Sequence, residues 1–496
     1  MARSYNISDM RCYVKRFICI LLVICAAAAC VTLAACKEKK AEISEYEIFA
    51  SYDAEARTLK GTVDFTYYND TGNEIGDLKF NLYGNAFREN AQYKPVSQSY
   101  TNAAYYAGVN YGSMTIDGVE NCSGWNVGGE DENILTVTLL TPVYPEENVK
   151  IKISYTLALA KINHRTGVTE NTVNLGNFYP VLCAYSSEGF VECAYYYNGD
   201  PFLSECANYK VTLDLPPEYV AATSGKLENR TTAADRQKCT YTLNNARDFA
   251  AVISDKFKTV NKDVNGTEVI YYYYSDSEPE TALAAAAESL QYFGATFGGY
   301  AYPVYSVVQT GFCYGGMEYP GLVMISDSLN KDDNIYTVVH ETAHQWWYAM
   351  VGSNQLTDAW QDEGLAEYST LMFFENHPAY SFTRTGIIGS ATKSYRAYYT
   401  VYKQIFGDAD TSMNRHLKDY ESEYEYTNIA YNKGLILFDM LRQSIGDEKF
   451  LSGLKKYFAE NQFKLATREQ LFGCFISGGV DLEGFFNSFI EGKIVI

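Results

Sequence analysis

Five histidines occur in the 496-residue chain, and two of them stand four positions apart in His340-Glu341-Thr342-Ala343-His344. On a helix, positions i and i+4 lie on one face, so both imidazoles can grip a single ion. Zinc accepts nitrogen and carboxylate oxygen, and a catalytic site keeps its fourth position for water. The intervening glutamate is then not a ligand: Glu341 sits beside that water and takes its proton. A third ligand has to come from elsewhere. Glu363, nineteen residues past His344, opens the helical stretch Trp360-Gln361-Asp362-Glu363-Gly364-Leu365-Ala366-Glu367-Tyr368. A second helix folding back presents it to the same ion, and Glu367, one turn later, can hydrogen-bond a ligating histidine. The expectation is one zinc per chain, held by His340, His344 and Glu363. His164, His377 and His416 have no motif around them and read as core or surface residues.

The elements that position these groups fall into two halves. From about Ser44 to Lys258 alternating or β-branched runs recur, at 46–52, 62–68, 78–82, 135–139, 149–159 and 209–215. Turn residues such as Asn69-Asp70-Thr71-Gly72 separate them. After Asp276 the period becomes helical, with helices predicted at 278–293, 334–350, 358–374, 381–406, 427–445, 447–460 and 468–477, the last with capping-box spacing at Thr467–Gln470. Strands at 304–309 and 321–325 flank a Gly-rich stretch. The fold class is α+β and multidomain: an antiparallel β sandwich or saddle over 37–258, then a mostly α-helical catalytic domain over 259–496.

Two further landmarks stand in order around the metal motif. Gly315-Gly316-Met317-Glu318-Tyr319 precedes it, and Tyr431-Asn432-Lys433-Gly434 follows. Together with HETAHQWW (340–347) and DEGLAEY (362–368), these strings resemble the aminopeptidase N family of gluzincins, which includes the leukotriene hydrolase. That family's strings are HELAHQWF, NEGFAEY, GxMEN and YxKG. The resemblance implies a thermolysin-like catalytic domain after a β-domain. It implies substrate binding by Gly315, Gly316, Met317 and Glu318, with Glu318 on the substrate's free amine. It also implies a hydrogen bond from Tyr431 to the oxyanion. Two departures stand out. Tyr319 replaces the motif's Asn, and the β-domain's second amine-binding residue has Asn177, Glu192 and Glu205 as candidates. The chain stops at Ile496, so a short form lacking the family's long C-terminal helical domain is expected. An aminopeptidase acting on peptides is the leading reading. A thermolysin-type endopeptidase and a peptide-binding lipoprotein without catalysis are the alternatives, and the presence of Glu341 argues against the last.

Residues 1–36 read as an address. Arg3, Arg11, Lys15 and Arg16 precede an apolar run from Phe17 to Ala35, which ends in Leu33-Ala34-Ala35-Cys36. That ending looks like a bacterial lipobox, with Cys36 lipidated; a plain membrane anchor is the alternative. Either way the protein is expected outside the cytoplasm and tethered to a membrane. Forty basic against 60 acidic residues give a net charge of −20, which argues against nucleic acid as a partner. Beyond Cys36 seven cysteines remain, without CxxC spacing: buried thiols, or one local bridge among Cys183, Cys193 and Cys206. The 45 tyrosines are expected on solvent-tolerant sheet faces.

Overall fold

The alternation seen in the first half becomes a sandwich. In the strand Glu45–Asp53 every second residue is buried, as it is in Thr58–Tyr68, because side chains of an extended chain point to opposite faces. The computed structural model describes residues 42–405, 407–475, 479–494 and 496. The expected address segment 1–36, with Cys36, lies outside the described residues, as do Phe406 and Ser477 at the expected helix ends. Among the described residues no helix is long and apolar enough to cross a membrane.

Seven strands form the larger sheet, in the order 226–233, 236–246, 207–215, 45–53, 58–68, 148–158 and 113–120. All neighbours are antiparallel except Glu45–Asp53 and Ala207–Leu215, which run parallel. A four-stranded antiparallel sheet (181–182, 75–81, 134–143, 122–128) contributes Leu78, Phe80, Leu135 and Val137 to the same core. The tyrosines correct the expectation. Tyr46, Tyr179 and Tyr209 are at most 4 % exposed, and Tyr46 stacks on Tyr209 at 4.9 Å between centroids. Their hydroxyls meet buried polar groups. Tyr46 accepts from the Leu182 N–H, and Tyr179 donates to Asp248 at 2.6 Å. The rings fill the core while each hydroxyl keeps a partner.

The five-stranded sheet of the second half begins at Lys258. Its order is 258–264, 267–273, 304–310, 322–326 and 316–317. The three central strands are parallel and the two edges antiparallel. The strands at 258–264 and 267–273 escaped the sequence reading. The edge strand Gly316–Met317 borders the cleft, and the helix Lys331–Ala343 packs beside it. All seven cysteines among the described residues are free thiols, five of them buried. The bridge among Cys183, Cys193 and Cys206 does not form.

Candidate metal centre and substrate cleft

The helix that carries both histidines starts at Lys331, where the Asn330 side chain accepts from the N–H groups of Asp332 and Asp333 at 3.1 Å each. It ends at Ala343, not at the expected residue 350, and His344 is its C-cap. The chain then tightens, with Gln345 N–H bonding Thr342 O and Trp346 N–H bonding Ala343 O. This turn buries Trp346 and Trp347 and closes back on the metal-binding face. The His344 Nδ1 lies 3.0 Å from the Trp347 carbonyl oxygen. Donating there fixes the tautomer that leaves Nε2 free to bind metal.

The three expected ligands converge. His344 Nε2 lies 3.0 Å from His340 Nε2 and 3.2 Å from Glu363 Oε2, and His340 Nε2 is 3.4 Å from that same oxygen. Ligand atoms 2.0–2.1 Å from a tetrahedral zinc are about 3.3 Å apart. The donor set and its spacing therefore fit this ion, and all three residues are buried. Glu367 Oε1 stands 3.3 Å from His340 Nδ1, while its other oxygen accepts from the Tyr336 hydroxyl at 2.6 Å.

Glu363 reaches the site because two helices cross at glycine. A Cβ on Gly364 would lie 2.9 Å from Gly434 Cα, and one on Gly434 only 2.8 Å from Gly364 Cα. That close approach brings Tyr431 alongside, and its hydroxyl donates to Glu363 Oε1 at 2.6 Å. Tyr431 sits in a π-helical stretch, Thr427–Lys433, where the sequence predicted continuous α-helix. Such wider turns recur at functional sites because they re-aim a side chain. Lys433 anchors the stretch: its buried ammonium donates to the carbonyl oxygens of Thr411 and Phe489.

Glu341 is 5 % exposed, and its Oε2 has no hydrogen-bond partner. Its other oxygen abuts the edge strand so closely that a Cβ on Gly316 would stand 2.3 Å away. Burial pushes the Glu341 carboxyl up to about 7, with His340 and His344 pulling it down. Glu363 goes the other way: burial would raise it, but His344 and His340 hold it down at about 2. Two carboxylates on one site thus differ in proton affinity, as a ligand and a base must.

The other wall departs more from the sequence reading. Gly315 and Gly316 line the cavity. Met317 turns into the core, where its sulfur accepts from Arg165 Nε at 3.0 Å, so it supports an arginine rather than touching the cleft. Glu318 is buried and accepts a long hydrogen bond from Gln355 Nε2 at 3.5 Å, and burial, with Asp200 adding to it, holds its carboxyl well above the usual range. None of the three candidate second anchors reaches it. Asn177 is spent within the core, donating to Asp248 and accepting from the Tyr319 hydroxyl at 2.8 Å. Glu192 pairs with Lys79 at the surface, and Glu205 is exposed. The group that does face the cavity is Asp200, ion-paired to the buried Arg165. No local motif marked Asp200 or Arg165, since they meet only through the fold. Burial raises the Asp200 carboxyl while Arg165 opposes the rise. Five buried carboxylates (Asp200, Glu318, Glu341, Asp362, Glu363) thus crowd one place, with Arg165 paired to only one of them. Such a cluster calls for cations: a metal at one end and a positively charged group at the other.

The comparisons agree with this geometry. Residues 281–489 match the model described as "Peptidase family M1 domain". The chain is 25% identical over 240 residues to a tricorn protease-interacting factor F2 of Thermoplasma volcanium, covering 44% of this chain and 29% of that one. It is 26% identical over 257 residues to an aminopeptidase N of Lactococcus lactis subsp. lactis, covering 46% and 29%. The chain thus spans about a third or less of the length of these curated relatives. The M1 zinc metallopeptidase of Deinococcus radiodurans superposes with a TM-score of 0.64 at 16% identity, covering 92% of this chain and 96% of that one. A mutant of that protein bound to a Tyr-Ser-Ala substrate gives a TM-score of 0.62 at 17% identity, over 92% and 95%. The fold is that of the M1 zinc metallopeptidases, and the stretch 281–489 is similar to their peptidase domain.

Proposed function

We propose that this chain is a zinc-dependent aminopeptidase, removing N-terminal residues from peptides. One observation carries the reading: a His340–His344–Glu363 donor set, an unpartnered base in Glu341, and an acidic end at Asp200 and Glu318 meet in one place. Bound zinc supplies Lewis acidity toward the peptide carbonyl and makes water a better nucleophile near neutral pH. The remaining work falls to the chain. Glu341 takes the proton of the attacking water and passes it to the leaving amine, a task suited to a buried carboxylate with a free oxygen, whose burial raises its proton affinity. Tyr431, at the cleft wall, turns its hydroxyl from Glu363 Oε1 to the carbonyl oxygen as negative charge grows there. Asp200 and Glu318 hold the substrate's ammonium and so fix which bond lies against Glu341.

The same reading extends to location. The basic front, the apolar run and Leu33-Ala34-Ala35-Cys36 support export and a lipid on Cys36, which would hold the enzyme on a membrane outside the cytoplasm.

The test is kcat/KM for free-amine tripeptides against their N-acetylated forms. Loss of a charged hydrogen bond is worth about 1.5–3 kcal/mol, so the free amines should win by at least about tenfold. Glu318→Gln and Asp200→Asn should each narrow that ratio. Equal cleavage of blocked peptides at internal bonds would replace this reading with an endopeptidase.

A further inference from the structure

The catalytic cavity extends beyond the metal to a carboxylate that the chemistry above does not use. Glu423, half-buried, lines the same cavity as His340 and Glu341. It accepts from Ser97 Oγ at 2.7 Å, Ser99 Oγ at 3.4 Å and the Tyr314 hydroxyl at 3.3 Å. All three donors are neutral, and among the described residues no Lys or Arg forms an ion pair with Glu423. The rings of Tyr100 and Tyr314, 4.8 Å apart between centroids, wall the cavity beside it. The Arg165 guanidinium already lies 5.6 Å from the Tyr314 centroid, so the Glu423 carboxylate and the Tyr100 ring are the receptor for a further cationic side chain, since both a charge and a ring quadrupole attract it.

The edge strand fixes which part of a peptide arrives there. Glu318 marks one end and Gly316 lies against Glu341; Tyr314, bonded to Glu423, comes next in the same direction. A peptide with its amine at Asp200 and Glu318 and its first carbonyl against Glu341 must run on toward Tyr314. Glu423 therefore faces the residues after the cut bond. Resting on the aminopeptidase reading above, we infer that Glu423 selects peptides carrying Lys or Arg within the first two residues of the leaving portion.

A purely structural role, tying the loop at Ser97 and Ser99 to the catalytic half, would scale all rates together. The test is therefore a ratio. For the purified zinc-loaded chain, kcat/KM is measured on Ala-Lys-Ala, Ala-Ala-Lys, Ala-Glu-Ala, Lys-Ala-Ala and Ala-Ala-Ala. Lysine at the second or third position should raise kcat/KM over Ala-Ala-Ala by roughly five- to tenfold, between the worth of an exposed and a buried ion pair. Ala-Glu-Ala should fall below Ala-Ala-Ala. Glu423→Gln should bring the lysine ratio close to one, and Glu423→Lys should turn the preference toward glutamate. An unchanged ratio in Glu423→Gln, or a lysine preference confined to Lys-Ala-Ala, would overturn the inference while leaving the aminopeptidase reading intact. No cleavage of any free-amine peptide would overturn both.

Discussion

One wall of the cleft carries the metal ligands and the base; the other carries the acidic end and the carboxylate at Glu423. On the metal wall the functional groups come from three short stretches, and helical geometry alone aligns two of the ligands. The recognition groups come from loops and from the start of the helix that leads into the Tyr431 stretch, places far apart in sequence. Arg165 meets Asp200 within the first half, while Asn177 meets Tyr319 and Ser97 meets Glu423 across the two halves of the chain. On the proposed reading, the first wall sets the reaction and the second selects the peptide. Reaction chemistry of this kind tolerates little change in spacing, since the ligands must surround one ion. Recognition can be rebuilt from whatever residues the fold brings to the same place.

The largest expected effect lies on the metal wall. Glu341→Gln should keep zinc, since Glu341 is not among the converging ligands, yet lower kcat by at least about a hundredfold. Turnover near that of the parent would remove Glu341 from the mechanism and end the contrast between the walls. Tyr431→Phe, compared at the same time, should lower kcat more than it raises KM.

A smaller effect is expected from the support of the recognition wall. Tyr319 stands where the resembled motif has Asn, and its hydroxyl serves Asn177 rather than the cleft. Tyr319→Phe leaves the buried Asn177 oxygen without that donor, at a cost of about 1–3 kcal/mol in folding stability. Denaturant unfolding should show the loss, with the ratio between free-amine and acetylated peptides unchanged. A collapse of that ratio would mean that Tyr319 touches substrate.

The same division explains what was legible beforehand. His340, Glu341, His344 and Glu363 could be read because each sits in a string whose spacing already implies its neighbours, whereas Tyr431 could be read only from the resemblance of its string to the aminopeptidase N family's YxKG. The two-part architecture was readable from the change of period near Asp276. The early end of the metal helix at Ala343 was not, because the apolar run through Trp346 and Trp347 continues a helical pattern while the chain itself turns. The π-helical stretch under Tyr431 was hidden for a related reason: it depends on Lys433 reaching the carbonyls of Thr411 and Phe489, contacts made only after folding. Asp200 could have been suspected only by asking which acidic residue the fold would pair with Arg165. Buried tyrosines were missed because a hydroxyl reads as solvent-seeking until its backbone partner is known.

One zinc per chain, held by His340, His344 and Glu363, should be required for peptide hydrolysis. The most direct test is to strip the metal with a chelator and titrate zinc back while following cleavage of a free-amine tripeptide. Activity should vanish on stripping and return in full at one equivalent per chain, and His344→Ala should neither hold that zinc nor recover. Undiminished hydrolysis by the metal-depleted protein, or full recovery in His344→Ala, would contradict the account.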